Sequence, residues 1–283
     1  MKNYDFSKDM KIIRELLSIT QEELSRLTNI PRITIARAEK DEHFLSNENL
    51  EKFYDFVFNE KIYLNQVESD ILVERNICQV LFHGSKEEIK EDLNLNHAKE
   101  NSDFGKAFYL GENYNQAAEF INKHKDSSVY AFAFDNCDIK KIEFEISNEW
   151  MIAILYFRGR LEKYKNHPYV NDIISKINLA DYIVAPIADN DMYQILNMFA
   201  QGTITDEQCK HALAASNLGK QIVFFKEETL KHLTCLKRFY LCESERLTLV
   251  EKSSMNKVVA KQKADLSIIE YRREGKYIDE LFK

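Results

Sequence analysis

The feature that most constrains this chain is a change of periodicity along it. The first 62 residues contain no strand-like run, whereas the stretch from residue 78 alternates strand-like and helix-like runs. In the first zone apolar residues recur at helical spacing: Leu24 with Leu27, then Leu50, Phe53, Tyr54 and Val57. Thr20-Gln21-Glu22-Glu23 has the form of a capping box, in which Thr20 caps a helix start and Glu23 reaches back to the cap amide. Asn29 tolerates the left-handed backbone of a tight turn, and Pro31 is pre-set for the start of the next helix. In the second zone the pattern predicts strands over 78–83, 129–134, 139–146, 182–185 and 221–225. It predicts helices over 116–124, 192–201, 206–215 and 227–239.

The expected fold class is therefore α+β: an all-α domain over 1–62, a linker over 63–77, a mixed domain over 78–242 and a helical tail over 243–283. At 283 residues and 45% apolar content the chain has enough material for two domains. Seven Gly and three Pro exclude collagen-like or Pro-rich architectures. The longest uncharged apolar run, Trp150 to Phe157, is far short of the ~20 residues that span a bilayer, so no membrane partner is expected. The N-terminus carries acidic residues where a signal peptide needs an apolar run. The five cysteines are scattered, with no CxxC pair, and the seven histidines form no HxxxH pair. The expectation is a cytoplasmic protein without a metal. There is no GxGxxG and no GxxxxGK[ST], so neither a Rossmann nor a P-loop nucleotide site is supported.

The segment from Ile19 to Lys40, ITQEELSRLTNIPRITIARAEK, resembles the Cro/repressor (xenobiotic-response) family of helix-turn-helix domains over roughly residues 8–60. That resemblance implies that Arg32, Thr34 and Arg37 face the DNA major groove, that Gln21 approaches a phosphate, and that the domain can form a homodimer. Asn29 stands where the family usually has glycine. Residues 1–62 carry 10 basic against 12 acidic side chains, which is weak for a DNA binder. A helical interaction or dimerisation module is the alternative reading.

Three segments of the second zone carry chemistry. They are Leu81-Phe82-His83-Gly84-Ser85, Asp103-Phe104-Gly105-Lys106-Ala107-Phe108-Tyr109-Leu110, and Lys220-Gln221-Ile222-Val223-Phe224-Phe225. In order and spacing they resemble the three motifs of the ADP-ribosyltransferase superfamily, in its diphtheria-toxin and poly(ADP-ribose)-polymerase branch, whose site is His, Tyr, Glu. With Glu149-Trp150 and the run from Ile183 to Asp189, they are also similar to a bacterial family catalogued as domain of unknown function 3990. The resemblance covers about 78–241 and implies a split β-sheet surrounded by helices.

The same resemblance implies NAD as substrate and His83, Tyr109 and Gln221 as the catalytic set. His83 is expected to hydrogen-bond a ribose hydroxyl, with Gly84 and Ser85 presenting the strand end to the nicotinamide. Tyr109 is expected to stack on the nicotinamide and Phe120 to cover its other face. Phe104, Gly105 and Lys106 are expected to contact the NAD, with Lys106 meeting the pyrophosphate. The departure is Gln221, where the superfamily has Glu. An amide can orient a ribose hydroxyl but cannot act as general base. Transfer of a single ADP-ribose is therefore favoured over chain elongation, and Gln221→Glu is expected to retain or raise NAD cleavage. Glu227, Glu228, Asp189 and Asp191 are the other acids in view, each equally explained by a helix start.

The implied function is an NAD-dependent mono-ADP-ribosyltransferase acting on a macromolecular acceptor. The domain pairing suggests a bacterial toxin or phage-defence effector, with an antitoxin as partner. The alternatives are an inactive NAD-binding domain of a transcriptional regulator and an NAD glycohydrolase.

Overall fold

The computed structural model describes residues 4–40, 45–90, 92–96, 98–215 and 218–283. Five helices come first: α1 (Phe6–Leu17), α2 (Gln21–Thr28), α3 (Arg32–Ala38), α4 (Asn47–Asn59) and α5 (Leu64–Arg75). Next are β1 (Gln79–Ser85), β2 (Phe108–Gly111), α6 (Tyr114–Ile121), β3 (Ser128–Phe134), β4 (Lys141–Glu143), α7 (Asn148–Phe157) and α8 (Pro168–Leu179). The chain ends with β5 (Tyr182–Pro186), α9 (Asn190–Ala200), α10 (Asp206–Ala214), β6 (Lys220–Phe224), β7 (Leu233–Tyr240), α11 (Glu243–Glu270) and α12 (Ile278–Leu281). The fold is mixed α+β, with an N-terminal helical region and strands paired in both parallel and antiparallel fashion. Among the described residues no helix is long and apolar enough to cross a membrane.

The chain divides into two compact units built from discontinuous segments. The first comprises Met1–Asp92, Asn113–Asp135 and Leu233–Lys252. Its helical part starts as the sequence predicts. Thr20 accepts from the Glu23 amide, Glu23 returns the bond, and Asn29 takes a left-handed φ of 55° before α3. Met10, Ile13, Leu24, Ile30, Ile35, Phe53 and Val57 close a small core. Leu27, expected beside Leu24, is instead exposed. Within this unit β1 pairs with β3, and β3 with β7, all antiparallel.

Two expectations fail here. Residues 63–77, expected as linker, contain α5. Its buried side carries Leu64, Asn65 and Ser69 while Val67 and Val73 are exposed, so the apolar period that reveals a helix is missing. Residues 227–239, expected as a helix, form a 3-10 turn over Glu227–His232 followed by β7. The three-residue spacing of Leu230, Leu233, Leu236 and Phe239 mimics a helix. Pairing along β3 from Ser128 to Phe134 overrides that local pattern.

What α5 buries is polar and paired. Asn65 Nδ2 donates to Glu245 Oε2 (2.8 Å) and to the Tyr240 carbonyl (2.8 Å), and the Tyr114 hydroxyl donates to Glu245 Oε1 (2.9 Å). Burial pushes the Glu245 carboxyl up to about 7, against the opposing effect of those two donors. A carboxyl raised in the folded state binds more protons there than in the unfolded chain. Its contribution is therefore fully present below about pH 4.5 and is lost as pH rises through about 7. The loss is roughly 3 kcal/mol. Glu245→Gln is expected to leave the melting temperature near pH 5 almost unchanged and to raise it at pH 8. Equal pH slopes for the two proteins in thermal unfolding would refute this.

The second unit comprises Leu93–Glu112, Asn136–His232 and Ser253–Lys283. Its strands lie in the order β4, β5, β6, β2, with β4 and β5 parallel and the other pairs antiparallel. The buried run from Trp150 to Leu155 in α7 anchors a core with Ile173, Ile183, Leu196, Phe199 and Val223. Such uniform burial explains why this helix shows no amphipathic period in the sequence.

Candidate functional site

In the second unit the register of β2 on β6 places Tyr109 opposite Val223 and Gly111 opposite Gln221. Paired residues of an antiparallel ladder point to the same side, as do residues two apart on one strand. Tyr109 and Gln221 therefore share one face. Both reach the same turn. The Tyr109 hydroxyl donates to the Gly105 carbonyl (2.8 Å) and accepts from the Phe104 amide (3.0 Å). Gln221 Nε2 donates to Asp103 Oδ2 (2.8 Å) and to the Pro186 carbonyl (3.1 Å). Gly105 holds the turn with a φ of 71°, and a Cβ there would press on the Phe157 ring at 3.2 Å, so glycine is required on both counts.

Burial raises the Tyr109 phenol well above its ordinary value. The residue is half-buried and packed against the core of this unit, and its hydroxyl is committed to the turn. Phe104 is corrected from a ligand contact to a core residue: it is 3% exposed and packs against the rings of Phe144 and Phe157. Lys106 is exposed.

Asp103 and Arg158 are the residues that sequence reasoning missed. Asp103 is buried. Its Oδ1 accepts from Arg158 Nε (3.1 Å) and Nη2, and its Oδ2 accepts from the Ala188 amide (3.2 Å) as well as from Gln221. The Arg158 guanidinium also lies 4.1 Å over the Tyr193 ring. Asp103 opened a motif segment and was in plain view, but nothing near Arg158 in the sequence marks it as its partner. Asp189 caps α9 by accepting from the Asp191 and Met192 amides. Glu227 and Glu228 are exposed in the first turn of a short 3-10 helix.

In the first unit His83, Gly84 and Ser85 end β1, opposite Tyr130, Val129 and Ser128 of β3. Gly84 has a structural cause: a Cβ there would fall well inside contact distance of the Ala117 carbonyl on α6. The close backbone approach expected of a ligand is made by this helix. The Ser85 hydroxyl donates to the Glu87 carbonyl (2.7 Å). Phe120 lies on the outer side of α6 and is 75% exposed.

Among the N-terminal helices, Arg32 and Arg37 of α3 are exposed and Thr34 is half-buried. Arg32 lies 3.6 Å from Glu22. Gln21 is corrected. Its Nε2 donates to Glu39 Oε2 (2.8 Å), and Glu39 is held by Arg14, so the amide is occupied within the helical region.

A family model described as "Protein of unknown function (DUF3990)" matches residues 79–236. No curated protein and no solved structure shows a significant match to the chain.

Proposed function

The chain belongs to the DUF3990 family, whose description assigns no function, and from that starting point we propose that it is an NAD-dependent mono-ADP-ribosyltransferase with an N-terminal helix-turn-helix DNA-binding region. One observation carries the reading: Tyr109 and Gln221, from separate motifs, share one face and converge on the turn at 103–105. The donor set suits the substrate. With both Nε2 hydrogens of Gln221 used inside the protein, the acceptor Oε1 remains to take a hydrogen bond from a ribose hydroxyl. The Tyr109 ring offers a flat apolar surface for nicotinamide, and the exposed Lys106 offers a cation for the pyrophosphate.

In the reaction the bond from the ribose anomeric carbon to nicotinamide breaks, and nicotinamide leaves with the bonding electrons. The acceptor's nucleophilic atom forms the new bond and releases its proton to solvent. No carboxylate at position 221 is present to take that proton, so the reading is single transfer. The biological role that fits is a bacterial toxin or phage-defence effector, with an antitoxin as the expected partner.

The test is incubation of the purified chain with adenylate-labelled NAD and bacterial lysate. Label in material sensitive to protease or nuclease supports transfer and identifies the acceptor class. Free labelled ADP-ribose alone replaces transfer with hydrolysis, and intact NAD under every condition removes the enzymatic reading in favour of an NAD-binding regulator.

For the helical region, the double variant Arg32→Ala/Arg37→Ala is expected to weaken DNA binding. It should also reduce the slope of log affinity against log salt by about one for each phosphate that the two arginines neutralise. An unchanged binding isotherm in fluorescence anisotropy would leave the helices as an interaction module.

A further inference from the structure

Gln221 is the position at which this chain departs from the superfamily it resembles, and its surroundings are not those of an isolated amide. Both acceptors within reach of Nε2, Asp103 Oδ2 at 2.8 Å and the Pro186 carbonyl at 3.1 Å, lie on the same side of the side chain. A flipped amide would set Oε1 against a carboxylate and a carbonyl, with no proton between any of them. Asp103 cannot turn aside, because Arg158 holds its Oδ1 and the Ala188 amide holds its Oδ2. All four partners belong to one compact unit, and both Asp103 and Gln221 are buried.

Resting on the NAD reading above, we propose that Asp103 is a positioning residue. By locking the Gln221 amide with Oε1 turned toward the ribose and by polarising it through a charge-assisted bond, it supplies the negative potential that a glutamate at 221 would otherwise provide. The site's carboxylate is one side chain behind its usual place and reaches the substrate through the amide. Hydrogen bonds in series polarise one another, and a charged acceptor on Nε2 makes Oε1 a stronger acceptor. Arg158 fixes the carboxylate through Oδ1, without competing for the amide bound at Oδ2.

The same geometry reverses the expectation for Gln221→Glu. A carboxylate at 221 would face Asp103 across the distance now bridged by a proton, and two like charges in that position oppose each other. The single variant should lose activity rather than gain it. Asp103→Asn/Gln221→Glu exchanges the two groups and restores an amide–carboxylate pair.

The experiment measures nicotinamide release from NAD, with kcat and KM separated, together with the melting temperature. It uses the full chain, Asp103→Asn, Gln221→Glu and the exchanged double variant. Asp103→Asn is expected to lower kcat about 10²-fold, the scale of a misplaced reacting group, with KM within about twofold. Gln221→Glu should fall comparably, and the double variant should recover at least about tenfold over either single variant. Mere structural support would not produce that recovery in kcat. A folded Asp103→Asn protein with wild-type kcat overturns the assignment, as does a folded double variant no better than its parents. Should Asp103→Asn not fold, the double variant decides alone: recovery supports the pairing, and a folded but inactive protein refutes it. Absence of nicotinamide release from the wild type overturns the NAD reading itself, which is distinct from release that Asp103→Asn leaves untouched.

Discussion

Replacing Gln221 with alanine is expected to cut nicotinamide release by about 10²–10³-fold while leaving NAD affinity nearly unchanged. The proposed Oε1 bond strengthens as positive charge develops at the anomeric carbon, so its loss belongs to the transition state rather than to binding. Removing one group aimed at developing charge typically costs this much in rate. The alanine variant also strips Asp103 of one donor, leaving Arg158 and the Ala188 amide to satisfy the carboxylate. The fold is thus expected to survive. Single-turnover kinetics with NAD titration separates the effect on rate from the effect on affinity. A Gln221→Ala protein that loses affinity and keeps kcat would place the residue among the binding contacts only.

The largest stability effect is expected at Lys237, which β7 carries into a buried acidic cluster. Its Nζ meets Glu68 Oε2 (2.5 Å), Asp9 Oδ1 (3.5 Å) and Asp5 Oδ2 (3.7 Å). Asp9 in turn accepts from the Tyr54 hydroxyl (2.7 Å). Lys237 and Asp9 are both almost fully buried, and removing one partner of a buried ion cluster leaves uncompensated charge. Lys237→Met should cost about 3–5 kcal/mol. The loss should depend on pH with a definite sign. Burial, reinforced by Asp9, holds the Glu68 carboxyl up at about 7 even with the ammonium present. Without Lys237 it would rise further. The variant is therefore most destabilised at alkaline pH, where the Glu68 carboxyl must ionise, and least in acid, where it is protonated. Denaturant unfolding at pH 5 and pH 8 reads this directly, and a pH-independent difference would mean that packing, not charge, accounts for the cost.

Local features were legible in the sequence because their causes are local. The capping box at Thr20, the left-handed Asn29, the strands at 182–185 and 221–225 and the helices at 192–201 and 206–215 each depend on neighbours a few residues away. Membership of the DUF3990 family was legible as well, because several segments carry its pattern and the family model matches residues 79–236. The elements misread were those whose partners are distant. α5 turns a polar side inward because Asn65 and Glu68 meet Glu245 and Lys237, about 170–180 residues along the chain. β7 is a strand because β3 offers it a full ladder, although its leucines are spaced as on a helix.

By itself, then, the sequence determined many of the helices and strands, the mixed α+β class and the DUF3990 family. Only the tertiary structure decided what the motif residues touch. Asp103 and Gln221 are 118 positions apart, and Arg158 stands 55 from Asp103, so no local pattern joins them. A buried polar group is stabilised only by the particular donor or acceptor that packing brings to it. That partner is set by strand register and helix placement, which are long-range properties that no window of the sequence contains.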